Sequence, residues 1–506
     1  MGGIYSFIYD ITYSYICPTC ILTCMKLVFF FRRHSQLLIP LSLCVGASLL
    51  FFFRLDVPTL QAWDEAWYGA IAQEIVKSNN WLFLKWQGEP FLDHPPLGMW
   101  LMALSYTIFG VTEFSTRLPS VLAGIFTVLL VYLSTLYIYK KKSIGVVAAI
   151  IMATSVWYLL RVRSGNLDAL LTFFFIATYY TSIRSNYNSA WFPISMLFFG
   201  CLIMTKTLIG TSILPIIVFL NWQHLFLKKS WKYIIAGVII FSIVVLPWYS
   251  AQYAAYLNFA DHHFKTIGLR NQSIFSFFII NPSQPLFYLH MGVRKWYYLW
   301  IVATGYSILS LRWRSVKTAS VFLWFICVLF PFLGSEKTEL WHLIPVYLPL
   351  SLITSSGIYY IGEDVRNYIV AVKNRSISVI TSFLSQKNFN FVYVVAFLFM
   401  GVLQFSVLYP EIYPQYPYTS DIVDVGKNAK IYARGKLYLN ESFLPIIAFY
   451  SGKDTYSAGD IIDFWKSNES ANTSVVVGKW GIERLKNENI NPKILYHNSS
   501  YYIITH

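Results

Sequence analysis

The sequence predicts an α-helical polytopic membrane protein with a small C-terminal α/β domain on the extracytoplasmic or luminal side. Three observations carry that prediction. Hydrophobic residues make up 56% of the 506 and charged residues only 12%, whereas a soluble chain carries about a quarter charged. Apolar runs of spanning length recur between short clusters of Lys and Arg. From residue 409 onward the chain turns polar and β-rich runs appear.

The net charge is +15, from 39 Lys and Arg against 24 Asp and Glu. Because the cations lie in clusters between apolar runs, the partners they predict are anionic headgroups and lipid phosphates, and no nucleic acid. The six cysteines, at 17, 20, 24, 44, 201 and 327, leave the polar C-terminal region without one, so no disulfide framework is expected. Cys17-Pro-Thr-Cys20 is a lone CxxC with neither a second pair nor a nearby histidine, which is too little for a zinc or redox site.

Residues 1–35 read as a cytoplasmic N-terminal leader ending in Arg32-Arg33. The run at 36–53 is long enough to cross the membrane and so reads as a first span, not a cleaved signal. Further spans are predicted near 117–139, 143–160, 168–184, 189–207, 208–225, 233–251, 297–311, 318–334, 341–361 and 391–408, about eleven in all. Together 36–408 form the membrane domain, with an outer loop over 54–116. The apolar stretch 95–110 decides the topology. If it crossed, Lys140-Lys141-Lys142 would fall outside; as an interfacial helix it leaves that cluster inside with Arg32/Arg33, Lys228/Lys229/Lys232, Arg312/Arg314 and Lys373/Arg375.

Within the outer loop, Ala66, Tyr68, Gly69, Ala72 and Ile75-Val76 recur near helical spacing while Gln73, Glu74 and Lys77 take another face, predicting an amphipathic helix over 65–78 lying flat on the bilayer. After the last span, 409–506 form a separate extracytoplasmic domain. Strands are expected at 435–440, 474–479 and 493–505, with helices at 458–467 and 481–488.

The acids are one-sided under this topology. From 54 to 360 they are Asp56, Asp64, Glu65, Glu74, Glu89, Asp93, Glu113, Asp168, Asp261, Glu336 and Glu339, all at the outer face. The bias of inner loops concerns Lys and Arg and says little about acids, so a shared outward-facing reaction chamber accounts for the pattern better than exclusion does. Asp64 and Glu65, directly after the first span, are its most informative members, because carboxylates near hydrocarbon are costly.

The pattern Asp64-Glu65-Ala-Trp-Tyr68 continues through Trp81, Gly88-Glu89-Pro90-Phe91 and Asp93-His94-Pro95-Pro96-Leu97 to Trp100. There follow Arg163-Ser-Gly-Asn-Leu-Asp168, Thr205-Lys206, Pro247-Trp248-Tyr249 and Lys337-Thr-Glu-Leu-Trp341-His342-Leu-Ile-Pro345. Over roughly 54–360 the chain resembles the polyprenyl-phosphate-dependent glycosyltransferases of the GT-C superfamily, specifically the protein O-mannosyltransferase and lipid A aminoarabinose transferase relatives. The resemblance implies a GT-C fold and the transfer of a sugar from a polyprenyl-phosphate carrier to an acceptor hydroxyl on a protein, lipid or glycan. A lipid-linked sugar transporter or flippase, and a non-catalytic glycolipid-binding homologue, are the alternatives. Neither an internal repeat nor a midplane carboxylate favours the transporter.

A sugar phosphate has a good leaving group already, so the protein must chiefly orient the acceptor hydroxyl and take its proton. Asp64 matches the family's general-base position, with Glu65 next in line; helix capping is the plain alternative for the pair. By resemblance Asp168 is a second essential acid; its alternatives are an N-cap or an ion pair with Arg161 or Arg163. Lys206, Arg270 and Lys337 are placed to converge on the donor phosphate, joined through the last motif by His342. Tyr68, His94 and Arg163 are expected to bind substrate. Many relatives have Glu-Lys-Pro where this chain has Asp93-His94-Pro95, which replaces a phosphate-contacting lysine with an imidazole. With His262 and His263, Asp93 could also ligate a divalent metal resembling the zinc of some relatives.

Overall fold

The computed structural model of the chain describes residues 36–61, 64–268, 273, 279–335, 338–372, 385–413, 420–440, 445–467 and 472–506. The expected leader and the cations Arg270 and Lys337 therefore lie outside the described residues, as do Arg32, Arg33, Lys373 and Arg375.

The apolar runs form helices where the sequence places them, but several are too short or too broken to cross alone. By length and apolarity five helices among the described residues could span a membrane, or six if one bent pair counts as a single span. The five are Glu113–Tyr139, Lys228–Ala255, Val316–Leu333, Leu340–Ala371 and Gln386–Pro410. The bent pair is Lys142–Thr154 with Val156–Val162, turning by 69° where Ser155 takes an extended conformation. The run at 189–207 stops at Ile203, and the run at 208–225 splits into Thr207–Thr211 and Leu214–Asn221. Helix Asp168–Ser185 is buried nearly all round, as befits the centre of a bundle. Among the described residues, then, fewer helices than the expected eleven are long and apolar enough to cross alone. The helix expected at 95–110 runs over Leu97–Phe109, 13 residues or about 20 Å, too short for a hydrocarbon core of about 30 Å.

The C-terminal domain is a five-stranded sheet in the order Thr455–Ser457, Leu437–Leu439, Ser474–Gly478, Tyr501–Thr505, Lys493–His497. The first three strands pair in parallel and the last three antiparallel. Alternation decides its two faces: Leu437, Leu439, Val476 and Ile503 pack with Val425 and Ile447 in one cluster, and Tyr438, Val475, Val477 and Ile504 with Ile461 and Leu485 in another. Helices Asp421–Tyr432 and Pro445–Ser451 and strand Thr455–Ser457 were not among the elements expected from the sequence.

Helix Asp64–Ser78 does not present its face to a bilayer. Ala66, Tyr68, Ile71, Ala72 and Ile75 pack with Met99, Met102 and Tyr106 on one side and Val423, Ile446 and Phe449 of the C-terminal domain on another. Gln73, on the side expected to be polar, is buried and donates to the Phe449 carbonyl at 3.2 Å. The approach is close at Gly69, where a Cβ would lie 3.1 Å from both the Phe449 ring and the Tyr106 hydroxyl. Tyr450 adds a polar tie, accepting from the Leu60 amide and donating to Glu113, both at 2.9 Å.

Candidate active site

The sharp turn after the first helix is held by two arginines with framework duties. Arg117, near the start of Glu113–Tyr139, donates to the carbonyls of Leu55, Pro58 and Thr59 at 2.7, 2.7 and 3.0 Å. It also pairs with Glu65 through Nε–Oε1 at 2.6 Å and Nη2–Oε2 at 3.1 Å. Glu65 further accepts the Gly165 amide on Oε1 and the Gln61 amide on Oε2, both at 2.8 Å. Its side chain is 1% exposed, and with four donors it has used about all the acceptor sites a carboxylate has. Arg163, expected to bind substrate, donates to the carbonyls of Phe51 and Phe53 at 2.7 and 2.8 Å and stacks on Tyr413, tying the first helix to the end of the last spanning-length helix. Its donors are spent on backbone carbonyls that would otherwise be unpaired.

Asp64 has a different setting. Its side chain is 32% exposed, and among the described residues its hydrogen bond comes from Arg161 Nη2 at 3.4 Å. Partial burial raises its carboxyl above the ordinary range, opposed first by Lys206 and reinforced by the nearby Asp168 charge. Asp168, 3% exposed at the start of its helix, pairs with Lys206 Nζ at 2.8 Å and lies 3.2 Å from Arg161 Nε. Its amide is capped by the Asn166 side chain at 2.8 Å. Arg161 in turn lies over the Trp341 ring, 4.5 Å from its centroid. Asp64, Arg161, Asp168 and Lys206 thus form one chain of alternating charge. It is incompletely satisfied: buried Arg161 Nε and Asp168 Oδ2 face each other at 3.2 Å as an ion pair without hydrogen-bond geometry, which leaves both with hydrogen-bonding capacity to spare.

Around this chain gather other predicted residues. Tyr68 is buried against His94, ring centroids 5.9 Å apart; burial raises its phenol, and the charges of Asp64 and Asp168 add to the rise. His94 feels Lys206, His263, Asp168 and His342, and burial pushes it down to about 3. It is therefore a neutral imidazole near neutral pH and cannot replace the positive charge of a lysine. His342 accepts the Glu339 amide on Nδ1 at 3.0 Å.

The metal-site residues divide into two sets. His262 Nε2 meets Asp93 Oδ1 at 2.6 Å. His263 is engaged elsewhere: Nδ1 donates to the Leu92 carbonyl and Nε2 accepts from Thr207, both at 2.9 Å, and Thr207 also bonds the Tyr249 hydroxyl. Burial lowers the basicity of His263, which suits this neutral tautomer. Among the described residues no three His, Cys, Asp or Glu side chains converge as a metal-binding group. A three-donor centre of Asp93, His262 and His263 does not fit this geometry.

Sequence reasoning underrated Arg161, which it treated only as a neighbour of Asp168, and missed Arg117. Thr207, next to the Thr205-Lys206 motif, and Tyr249, within Pro247-Trp248-Tyr249, were given no role.

The comparisons agree with this architecture. Residues 93–249 match the family model described as dolichyl-phosphate-mannose-protein mannosyltransferase. The chain is 25% identical over 328 residues to the undecaprenyl phosphate-alpha-4-amino-4-deoxy-L-arabinose arabinosyl transferase of Shewanella sediminis, covering 62% of this chain and 59% of that protein. Its counterpart in Pseudomonas savastanoi pv. phaseolicola is 26% identical, with 64% and 61% covered. These alignments span about three-fifths of the relatives' length. The crystal structure of ArnT from Cupriavidus metallidurans bound to undecaprenyl phosphate superposes with a TM-score of 0.66 at 14% identity, covering 93% of this chain and 98% of that one. The archaeal oligosaccharyltransferase AglB from Archaeoglobus fulgidus gives 0.58 at 11%, covering 84% and 65%.

This integral membrane protein thus shares the fold of ArnT and AglB, and over residues 93–249 it is similar to the dolichyl-phosphate-mannose-protein mannosyltransferase family. Over a longer stretch it is similar to the undecaprenyl phosphate-alpha-4-amino-4-deoxy-L-arabinose arabinosyl transferases.

Proposed function

We propose that the chain transfers a sugar from a polyprenyl-phosphate carrier to an acceptor hydroxyl on the extracytoplasmic or luminal face, with Asp64 as the base. The observation that carries this reading is the state of Asp64: a carboxylate one-third exposed, raised by burial, at the open end of the Arg161–Asp168–Lys206 chain. A base of raised pKa holds a proton better in the transition state.

In the reaction, the acceptor oxygen bonds to the anomeric carbon as its proton passes to Asp64. The bond from that carbon to the phosphate oxygen breaks, and its electrons leave with the polyprenyl phosphate. Lys206 and Arg161 lie within one network of the base and supply positive charge toward the leaving group. Arg270 and Lys337 join them as proposed phosphate contacts on sequence position alone, with His342 at the chamber's edge. Asp168 acts as a positioning residue that fixes both cations. Tyr68 and neutral His94 wall the sugar side. Glu65, saturated by Arg117 and two amides, belongs to the framework in this reading.

The acceptor class and the sugar are set by surfaces that the base itself does not define. Purified protein offered a panel of radiolabelled polyprenyl-phosphate sugars with membrane lipid, glycan and protein fractions should label one fraction, and Asp64→Asn should abolish that label. Absence of transfer from every such donor would remove the enzymatic reading.

A further inference from the structure

Three helices that contribute to the chamber at one end carry cations at the other. Glu113–Tyr139 begins beside Arg117 and, after 27 residues or about 40 Å, ends at Lys140, which caps it in a left-handed conformation with φ 58°. Asp168–Ser185 begins with Asp168 and carries Arg184 in its last turn. Val316–Leu333 ends shortly before Trp341 and His342 and carries Lys317 in its first turn.

These three cations converge on one ring. Lys140 Nζ, Lys317 Nζ and the Arg184 guanidinium lie 4.4, 4.7 and 5.3 Å from the centroid of Tyr137. Tyr187 and Trp191 extend the aromatic surface, 4.5 Å from Lys317 and 4.7 Å from Arg184. No described carboxylate forms an ion pair with any of the three. The nearby Lys141 and Arg312 differ in this respect, being paired with Glu363 and Asp364.

Cation–π attraction offsets part of the repulsion among three like charges, and an anion between them offsets more. The cluster lies one bundle depth from Asp64, where spanning helices emerge among lipid headgroups and aromatic rings favour the interface. We propose that Lys140, Arg184 and Lys317, arrayed on Tyr137, bind the phosphate group of an anionic phospholipid in the leaflet opposite the active centre.

The full chain reconstituted in nanodiscs of mixed phosphatidylglycerol and phosphatidylcholine should, on native mass spectrometry, retain phosphatidylglycerol selectively. Lys140→Gln with Lys317→Gln should reduce that retention on the order of tenfold, and Lys140→Arg with Lys317→Arg should restore it. Lys228→Gln with Lys229→Gln, which removes inner-face charge elsewhere, should leave it unchanged. Equal retention of both lipids by the unaltered chain, or equal loss in the 228/229 control, would overturn the proposal. Displacement of the lipid by excess inorganic phosphate would likewise overturn the lipid assignment, leaving a site for soluble phosphate.

Discussion

The two carboxylates that open helix Asp64–Ser78 end in different networks. Glu65 meets a guanidinium and two backbone amides and is 1% exposed. Asp64 meets one arginine nitrogen at 3.4 Å and is 32% exposed. Both networks contain arginine and both lie within the same fold, so residue type does not separate framework from site. Satisfaction does: every acceptor position of Glu65 is filled, whereas in the Asp64 network the buried Arg161 Nε and Asp168 Oδ2 meet as an ion pair without a hydrogen bond.

The sharpest way to break this contrast is to uncharge Glu65. Glu65→Gln leaves Arg117 charged, buried and without its counter-ion, which should cost about 3–5 kcal/mol. Thermal unfolding in detergent should show a large drop in Tm, while specific activity per folded molecule falls far less than at Asp64. A stable but inactive Glu65→Gln protein would invert the assignment.

Next in size is Asp64→Asn, which keeps volume and hydrogen bonding but cannot take a proton. Transfer should fall by about 10²-fold or more with little change in Tm. Near-normal transfer by a folded Asp64→Asn enzyme would move the base elsewhere, Asp168 being the nearest candidate.

Acid dependence sharpens the comparison. Burial raises Asp64, so the acid limb of kcat/KM should lie above the ordinary carboxylate range and vanish in Asp64→Asn. Lys206 is the largest influence opposing that rise, so Lys206→Gln should move the limb to higher pH. A limb that stays in place would exclude Asp64 as its source. The stability sign is separate. A raised acid in the folded state favours folding below its unfolded pKa, and that contribution is lost as pH rises through the folded value. Unfolding of Asp64→Asn compared with the unaltered chain across that window should show it.

The smallest effect is expected at Asp93. Asp93→Asn removes a partly exposed pairing with His262, worth about 1 kcal/mol or less, and should shift Tm by a degree or two at most. Elemental analysis of the same two proteins sharpens the point: near-stoichiometric metal lost on substitution would show that the pair works as part of a larger donor set.

Much of this was legible in the sequence. Helix positions followed from apolar runs, and the chamber's acids and Lys206 followed from motifs at their edges. What was not legible has physical causes. The helix break at Ser155 is accompanied only by Thr154-Ser155 inside an otherwise apolar run, too small a change to mark hydropathy. Arg163 and Arg161 are two residues apart and chemically identical, and only the curvature after helix Val156–Val162 sends one to backbone carbonyls and the other to Asp64. The face of helix Asp64–Ser78 containing Gln73 looked solvent-bound because its partner, Phe449, is 376 residues away in sequence.

That distant contact bears on how such chains can be recombined. Because Gly69 leaves just enough room for the Phe449 ring, and Gln73 bonds the same residue's carbonyl, the helix that starts with Asp64 is set from behind by the polar domain. The C-terminal domain is therefore not an interchangeable appendage. A chimera taking that domain from a relative should position Asp64 correctly only when residues 69 and 449 are exchanged as a pair.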